Sequence, residues 1–141
     1  MGATTTAAEL GRAFPDVPVV DSSGAHVRDS VDSDPRLVVA TPGAEPAPES
    51  GYACAVILDA VSSLSRPGLA AVEQTVDRWM AILALVRSVR DGGRAVVVGP
   101  SEDAALQAMV RNDPAGWAAR ELTDRREARF PVSYTHLTLP T

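Results

Sequence analysis

The chain contains no lysine: all 13 of its basic residues are arginine. That absence excludes a lysine-bearing phosphate loop and any Schiff-base mechanism within the chain. Aromatic residues are nearly as scarce, at 4% against a hydrophobic fraction of 45%. A core must therefore be built from Val, Leu, Ile and Ala, which favours helices on a buried sheet over an aromatic-rich β-sandwich. The one cysteine, Cys54, can form neither an internal disulfide nor a zinc site. Its place inside an apolar run predicts a small buried residue. Basic excess is missing too, since the formal charge is −5, so whole-chain electrostatics give no argument for nucleic acid. No segment reaches the roughly 20 apolar residues that span a bilayer, and no basic region precedes an apolar stretch at the N-terminus. The composition reads as one cytoplasmic domain with no membrane partner.

What is present is a series of apolar runs separated by helical patterns. Thr6-Ala-Ala-Glu9 has the form of a capping box, Leu10 and Phe14 follow four apart, and Pro15 stops the helix. "VPVVD" (17–21) predicts a short edge strand and 22–35 a polar loop. "RLVVAT" (36–41), "YACAVILDA" (52–60) and "RAVVVGP" (94–100) are continuous apolar runs of the kind buried on both faces of a parallel sheet. Their cores, 37–40, 55–58 and 95–98, are expected side by side and co-directional. "TPGAEPAPESG" (41–51) is read as loop. Between the last two runs, Arg66-Pro67-Gly68 opens a long helix whose apolar face is Leu69, Val72, Val76, Trp79, Leu83 and Val86. Asp91-Gly-Gly93 stops it. Ser101 is the expected cap of the next helix and Asp113-Pro114 starts the one after. Strands alternating with helices give an α/β fold with a mainly parallel sheet.

In this order "AAELGRAFPDVPV", "RLVVATPGAEP", "GYACAVILDA", "RPGLAAVEQTVDRWMAILALVR", "GGRAVVVG" and "ALQAMVRNDPAGWAARELTDRREARFP" resemble the C-terminal helicase lobe of the PriA family of primosomal replication-restart proteins, in its high-GC bacterial form. The resemblance spans about 2–131, and the ordered series makes it specific rather than any single block. It implies a RecA-like second lobe over 1–131, with DNA (forked or branched) and primosome proteins as partners. ATP and zinc are the cofactors implied for the parent family, with none in this chain. In that family a cysteine-rich zinc module precedes the first block, and a further domain follows the last. "VSYTHLTLPT" (132–141) departs from the family; it matches one reading frame of a transposon-end adapter used in sequencing libraries. The expectation is adapter read-through, and His136 is set aside with it.

Against the family pattern the motifs are eroded. Competent relatives follow the first of these strands with Gly-Thr-Gln and then Lys-Gly. Here Thr41 is kept, Pro42 stands at the Gln position and Pro46 at the Lys position, and proline offers no N–H. The acid after the next strand is kept as Asp59. The arginine-finger motif Gln-x-x-Gly-Arg-x-Gly-Arg aligns with "AILALVRS" (81–88), which has neither glycine and no arginine in phase. Arg87 and Arg90 lie one or two positions off, and each position turns a helix by about 100°.

The resemblance therefore implies no catalytic residue and no metal site in the chain, and a lobe without ATPase function acting in DNA or primosome binding. The alternatives are an active ATP-dependent helicase lobe with a rearranged finger, and a free-standing α/β ligand-binding protein. Candidate nucleotide or DNA contacts are Thr41, Asp59, Arg87 and Arg90. Against these stand plainer roles: Asp59 as a cap, Arg87 and Arg90 as surface cations near a helix C-terminus. Likewise His26 is read as solvated, Trp79 and Trp117 as core rather than base-stacking platforms, and "DRREAR" (124–129) as a solvated face rather than a set of phosphate contacts.

Overall fold

A computed structural model describes residues 2–130, so the 132–141 tail lies outside the described residues. The chain divides into two compact units, 1–99 and 100–141. Among the described residues the first holds every strand and the second holds two helices.

In the first unit, α1 (Ala3–Ala13) starts three residues before the expected capping box. Gly2 occupies the cap position, and Thr6 lies inside the helix, its Oγ1 donating back to the Gly2 carbonyl at 3.3 Å. Pro15 stops the helix as expected. α1 packs against β1 (Val19–Ser22) and β3 (Leu37–Ala40), which pair in parallel with Val19 opposite Leu37 and Ser22 opposite Ala40. The segments read as loop contain two short strands, β2 (Ser30–Val31) and β4 (Ala47–Pro48), also parallel. β5 (Cys54–Ile57) then pairs in parallel with β6 (Arg94–Val97).

The fold is thus α/β, with small parallel sheets flanked by helices. The expected single sheet of three central strands is not formed among the described residues. β3 takes β1 as its partner, and β5 takes β6. Burial on both faces also fails for β5–β6. Val56, Leu58, Val96 and Val98 are each about half exposed or more, and Cys54 is exposed rather than buried. The cause is the alternation of side chains along a strand: in a two-stranded sheet covered on one side, every second residue faces outward. Ile57, on the other face, is buried.

The long helix is also corrected. Gly68 has φ +128°, a conformation that no helix accommodates, so 66–68 cannot be its first turn. A five-residue helix α2 (Ala60–Leu64) comes first, and α3 runs from Ala71 to Ala84. α3 buries Val76 and Trp79 and packs against α2, while Leu69 stays exposed outside it. At its far end the helix stops at Ala84, well before Asp91. Leu85 and Val86 tighten to i→i−3 bonds on Ile82 and Leu83, and Val86 bridges Tyr52 in parallel. A 3-10 turn at Val89–Asp91, capped by Ser88 and closed by left-handed Gly92, leads into β6.

In the second unit, α4 (Ala104–Val110) and α5 (Pro114–Glu127) pack together, with Leu106, Met109 and Trp117 buried. Asp103, not Ser101, caps α4, its carboxylate accepting from the Ala105 and Leu106 N–H groups. Asp113 accepts from Gly116 N–H, with Pro114 at the first helical position, as the sequence predicts. Among the described residues no helix is long and apolar enough to cross a membrane.

Candidate functional site: a cleft at the strand ends

β3 and β5 point their carboxyl ends towards one cleft of about 130 Å³ in the first unit. Pro42 lies just beyond β3, Ile57 ends β5, and Asp59 follows it at the start of α2. The other wall is one face of α3, Ala71, Gln74, Thr75, Arg78, Trp79 and Ile82, with Ser63, Arg66 and Pro67 closing the end. In α/β folds the loops after the strands gather there, leaving room for a ligand.

Asp59 is the one sequence candidate in the cleft lining. It occupies the position before α2, yet its side chain makes no capping bond to a backbone N–H. Its carboxylate instead accepts from the Ser63 hydroxyl at 3.2 Å. Thr75 donates to the Ser63 and Ala71 carbonyls, so both hydroxyls in the cleft are already committed. Sequence reading missed Arg66, Gln74 and Arg78. Twelve residues separate the two arginines, and only the α2–α3 turn sets them around one space. The one local hint was that Ala71, Gln74 and Arg78 share a helical face.

The remaining candidates lie elsewhere. Thr41 sits in the loop after β3, its N–H on the Ser22 carbonyl at 3.3 Å and its own carbonyl accepting from Ala44. That loop is held down: buried Ser22 donates to the Ala44 carbonyl at 2.7 Å, and Tyr52 donates its hydroxyl to the Pro46 carbonyl at 2.7 Å. Burial, with the Glu45 carboxylate adding to it, raises the Tyr52 phenol above its ordinary pKa, so the hydroxyl keeps its proton and its bond.

Arg87 is a latch. Its Nε donates to the Ser50 and Gly51 carbonyls at 3.2 and 3.0 Å, and its backbone N–H donates to Tyr52. Gly51, at φ +80°, has no space for a side chain, because a Cβ there would lie 2.9 Å from Arg87 Cγ. Arg90 is exposed in the 3-10 turn. Trp79 and Trp117 are 2% and 7% exposed, which fits core packing and leaves no face for a stacked base. Among the described residues no three His, Cys, Asp or Glu side chains gather as a metal site.

Small parallel sheets flanked by helices define an α/β protein. Comparison with known proteins narrows this. The chain is 45% identical over 133 residues, 94% of its length, to the probable replication restart protein PriA of Mycobacterium leprae (strain TN). The identity and coverage are the same for the protein of that name from Mycobacterium tuberculosis (strain ATCC 25618 / H37Rv). These matches bear out the resemblance read from the ordered blocks. The chain spans 20% of the length of each of these relatives. No protein-family model and no solved structure matches it.

Proposed function

We propose that the chain represents the C-terminal helicase-lobe portion of a PriA-type replication-restart protein, a RecA-like lobe that no longer takes part in ATP hydrolysis. In this reading it serves DNA or primosome binding in the cytosol, within a longer protein whose other parts hold zinc and the first lobe. The similarity along 94% of the chain to proteins of that name carries the reading. The loss of ATPase function is supported by residues 81–88, which offer no glycine and no in-phase arginine. It is further supported by Arg87, whose Nε is engaged by the Ser50 and Gly51 carbonyls, which directs its guanidinium to the 50–51 loop. An arginine finger must be free to reach a transferred phosphoryl group.

The test is ATP turnover by the full-length protein on forked DNA. The expected result is no DNA-stimulated hydrolysis, together with restoration of replication restart in a cell lacking its own restart protein. DNA-stimulated hydrolysis abolished by Arg87→Ala would establish the rearranged-finger reading instead. Failure to restore restart would remove the replication role.

A further inference from the structure

We propose that the cleft between Arg66 and Arg78 is a phosphate-binding site. The inference deepens the reading above and rests on it for biological context only. Arg66, Arg78 and Asp59 are the ionisable groups lining the cleft, so its balance is one positive charge in a chain of net charge −5. Neither arginine forms an ion pair among the described residues, whereas Arg36 pairs with Asp32 and Arg125 with Glu121. The cleft's two hydroxyls already donate to the protein, Ser63 to Asp59 and Thr75 to two carbonyls, so neither has a free O–H to offer a ligand. The donors left for a ligand are the two guanidinium forks and the Gln74 amide. Planar guanidinium groups match phosphate oxygens two at a time, which a surface lysine could not do.

Size sets the class of ligand. Pockets that engulf a small molecule run to about 300–1,000 Å³, and this cleft holds about 130 Å³. A whole nucleotide does not fit; a single phosphate does, with the rest of its molecule lying outside. The same chemistry comes from two sources, the phosphodiester of a nucleic-acid strand and the terminal phosphate of a free nucleotide.

The experiment uses the 141-residue chain with two probes. Fluorescence anisotropy follows a labelled oligothymidine, and thermal stabilisation follows ATP and inorganic phosphate. Arg66→Gln and Arg78→Gln should each weaken binding of one probe by about tenfold, the size of a lost charge-assisted hydrogen bond. Arg66→Lys and Arg78→Lys should retain part of the affinity, which separates the loss from misfolding. Asp59→Asn should tighten binding about threefold, as expected when a partly exposed repulsive charge is removed. Arg120→Gln, on α5, should change nothing. Loss confined to oligothymidine assigns the site to a strand phosphodiester, and loss confined to ATP and phosphate assigns it to a free phosphate. The proposal is overturned if neither probe binds, if the glutamine variants bind as the parent does, or if Asp59→Asn weakens binding. Any of those leaves the replication-restart reading untouched, because ATP turnover and restart by the full-length protein test that separately.

Discussion

Ser22 offers the sharpest test of how the loop after β3 is held. Its side chain is fully buried at the end of β1, and its hydroxyl works in both directions. It donates to the Ala44 carbonyl at 2.7 Å and accepts from the Arg28 N–H at 3.0 Å. One oxygen thus ties the 41–51 loop and the 24–28 turn to the same strand. In Ser22→Ala two backbone groups lose their partner and nothing apolar is gained. Each net hydrogen bond contributes about 0.5–1.5 kcal/mol, so the substitution should cost about 2 kcal/mol in all. For a unit of this size that corresponds to a fall in Tm of roughly 8–16 °C.

The assay is thermal unfolding by circular dichroism, with amide exchange read at Ala44 and Arg28. Exchange at Arg28 should quicken at least tenfold, since its N–H is the one released. Ser62→Ala is the control, because that hydroxyl is exposed and donates to the Asp59 carbonyl only three residues away; it should shift Tm by no more than about 2 °C. If Ser22→Ala matched the control in both Tm and exchange, the account of the loop as pinned by a buried serine would be wrong.

Other consequences can be measured on the same chain. Asp103→Ala should cost about 1 kcal/mol of stability in the second unit, since its carboxylate caps α4, while Ser101→Ala should cost close to nothing; chemical denaturation of the two variants discriminates. Trp79→Ala, at a residue 2% exposed, should cost about 3–5 kcal/mol and leave little folded first unit at physiological temperature, as read by near-ultraviolet circular dichroism. Asp21 is held below the ordinary carboxylate pKa by hydrogen bonds from Ser23 and Thr4, with His26 nearby adding to it. Its contribution is therefore fully present above the unfolded value of about 3.9 and is lost as pH falls through the lower folded value. A plot of Tm against pH should drop below about pH 4 more steeply for the parent than for Asp21→Asn; parallel curves would refute the assignment.

The parts of the fold legible in the sequence were those carried by runs of one residue class. Val19–Val20, Leu37–Ala40, Ala55–Ile57 and Ala95–Val97 all lie in strands, because β-branched residues in a row have few alternatives. β2 and β4 were hidden, since each is two residues long. Their neighbourhood is fixed by contacts distant in sequence, such as Ser33 donating to the Glu49 carboxylate. The cleft was half legible. Asp59 announces itself at a strand end, while Arg66 and Arg78 become neighbours of one space only after α2 and α3 have packed. Periodicity failed at the C-terminal end of α3 for a plain reason. Leu83 and Val86 continue the apolar spacing, but a hydrophobic period records which residues seek burial and not whether they reach it as helix.

That failure bears on the arginine-finger region. Ala84 stands where the resembled family's motif has its first glycine, and α3 ends there without one. The break is made instead by the Tyr52 backbone, whose N–H donates to the Leu85 carbonyl and whose carbonyl accepts from Arg87 at 2.9 Å each. It is completed by Ser88, which caps the following turn, and by Gly93, whose lack of a side chain admits the Arg87 carbonyl. The chain therefore leaves the helix at Ala84 through contacts with residues distant in sequence. The path of this segment is held by the Tyr52 backbone, and the Arg87 side chain along it latches the 50–51 loop. Introducing a glycine alone should consequently change little, because the turn is held by these contacts. Ala84→Gly should leave the end of α3 in place, as amide exchange across 80–90 would register, and should cost stability by no more than the roughly 1 kcal/mol of a glycine at a helix terminus. A shift of the helix end by a full turn would show that the strand contacts do not fix it.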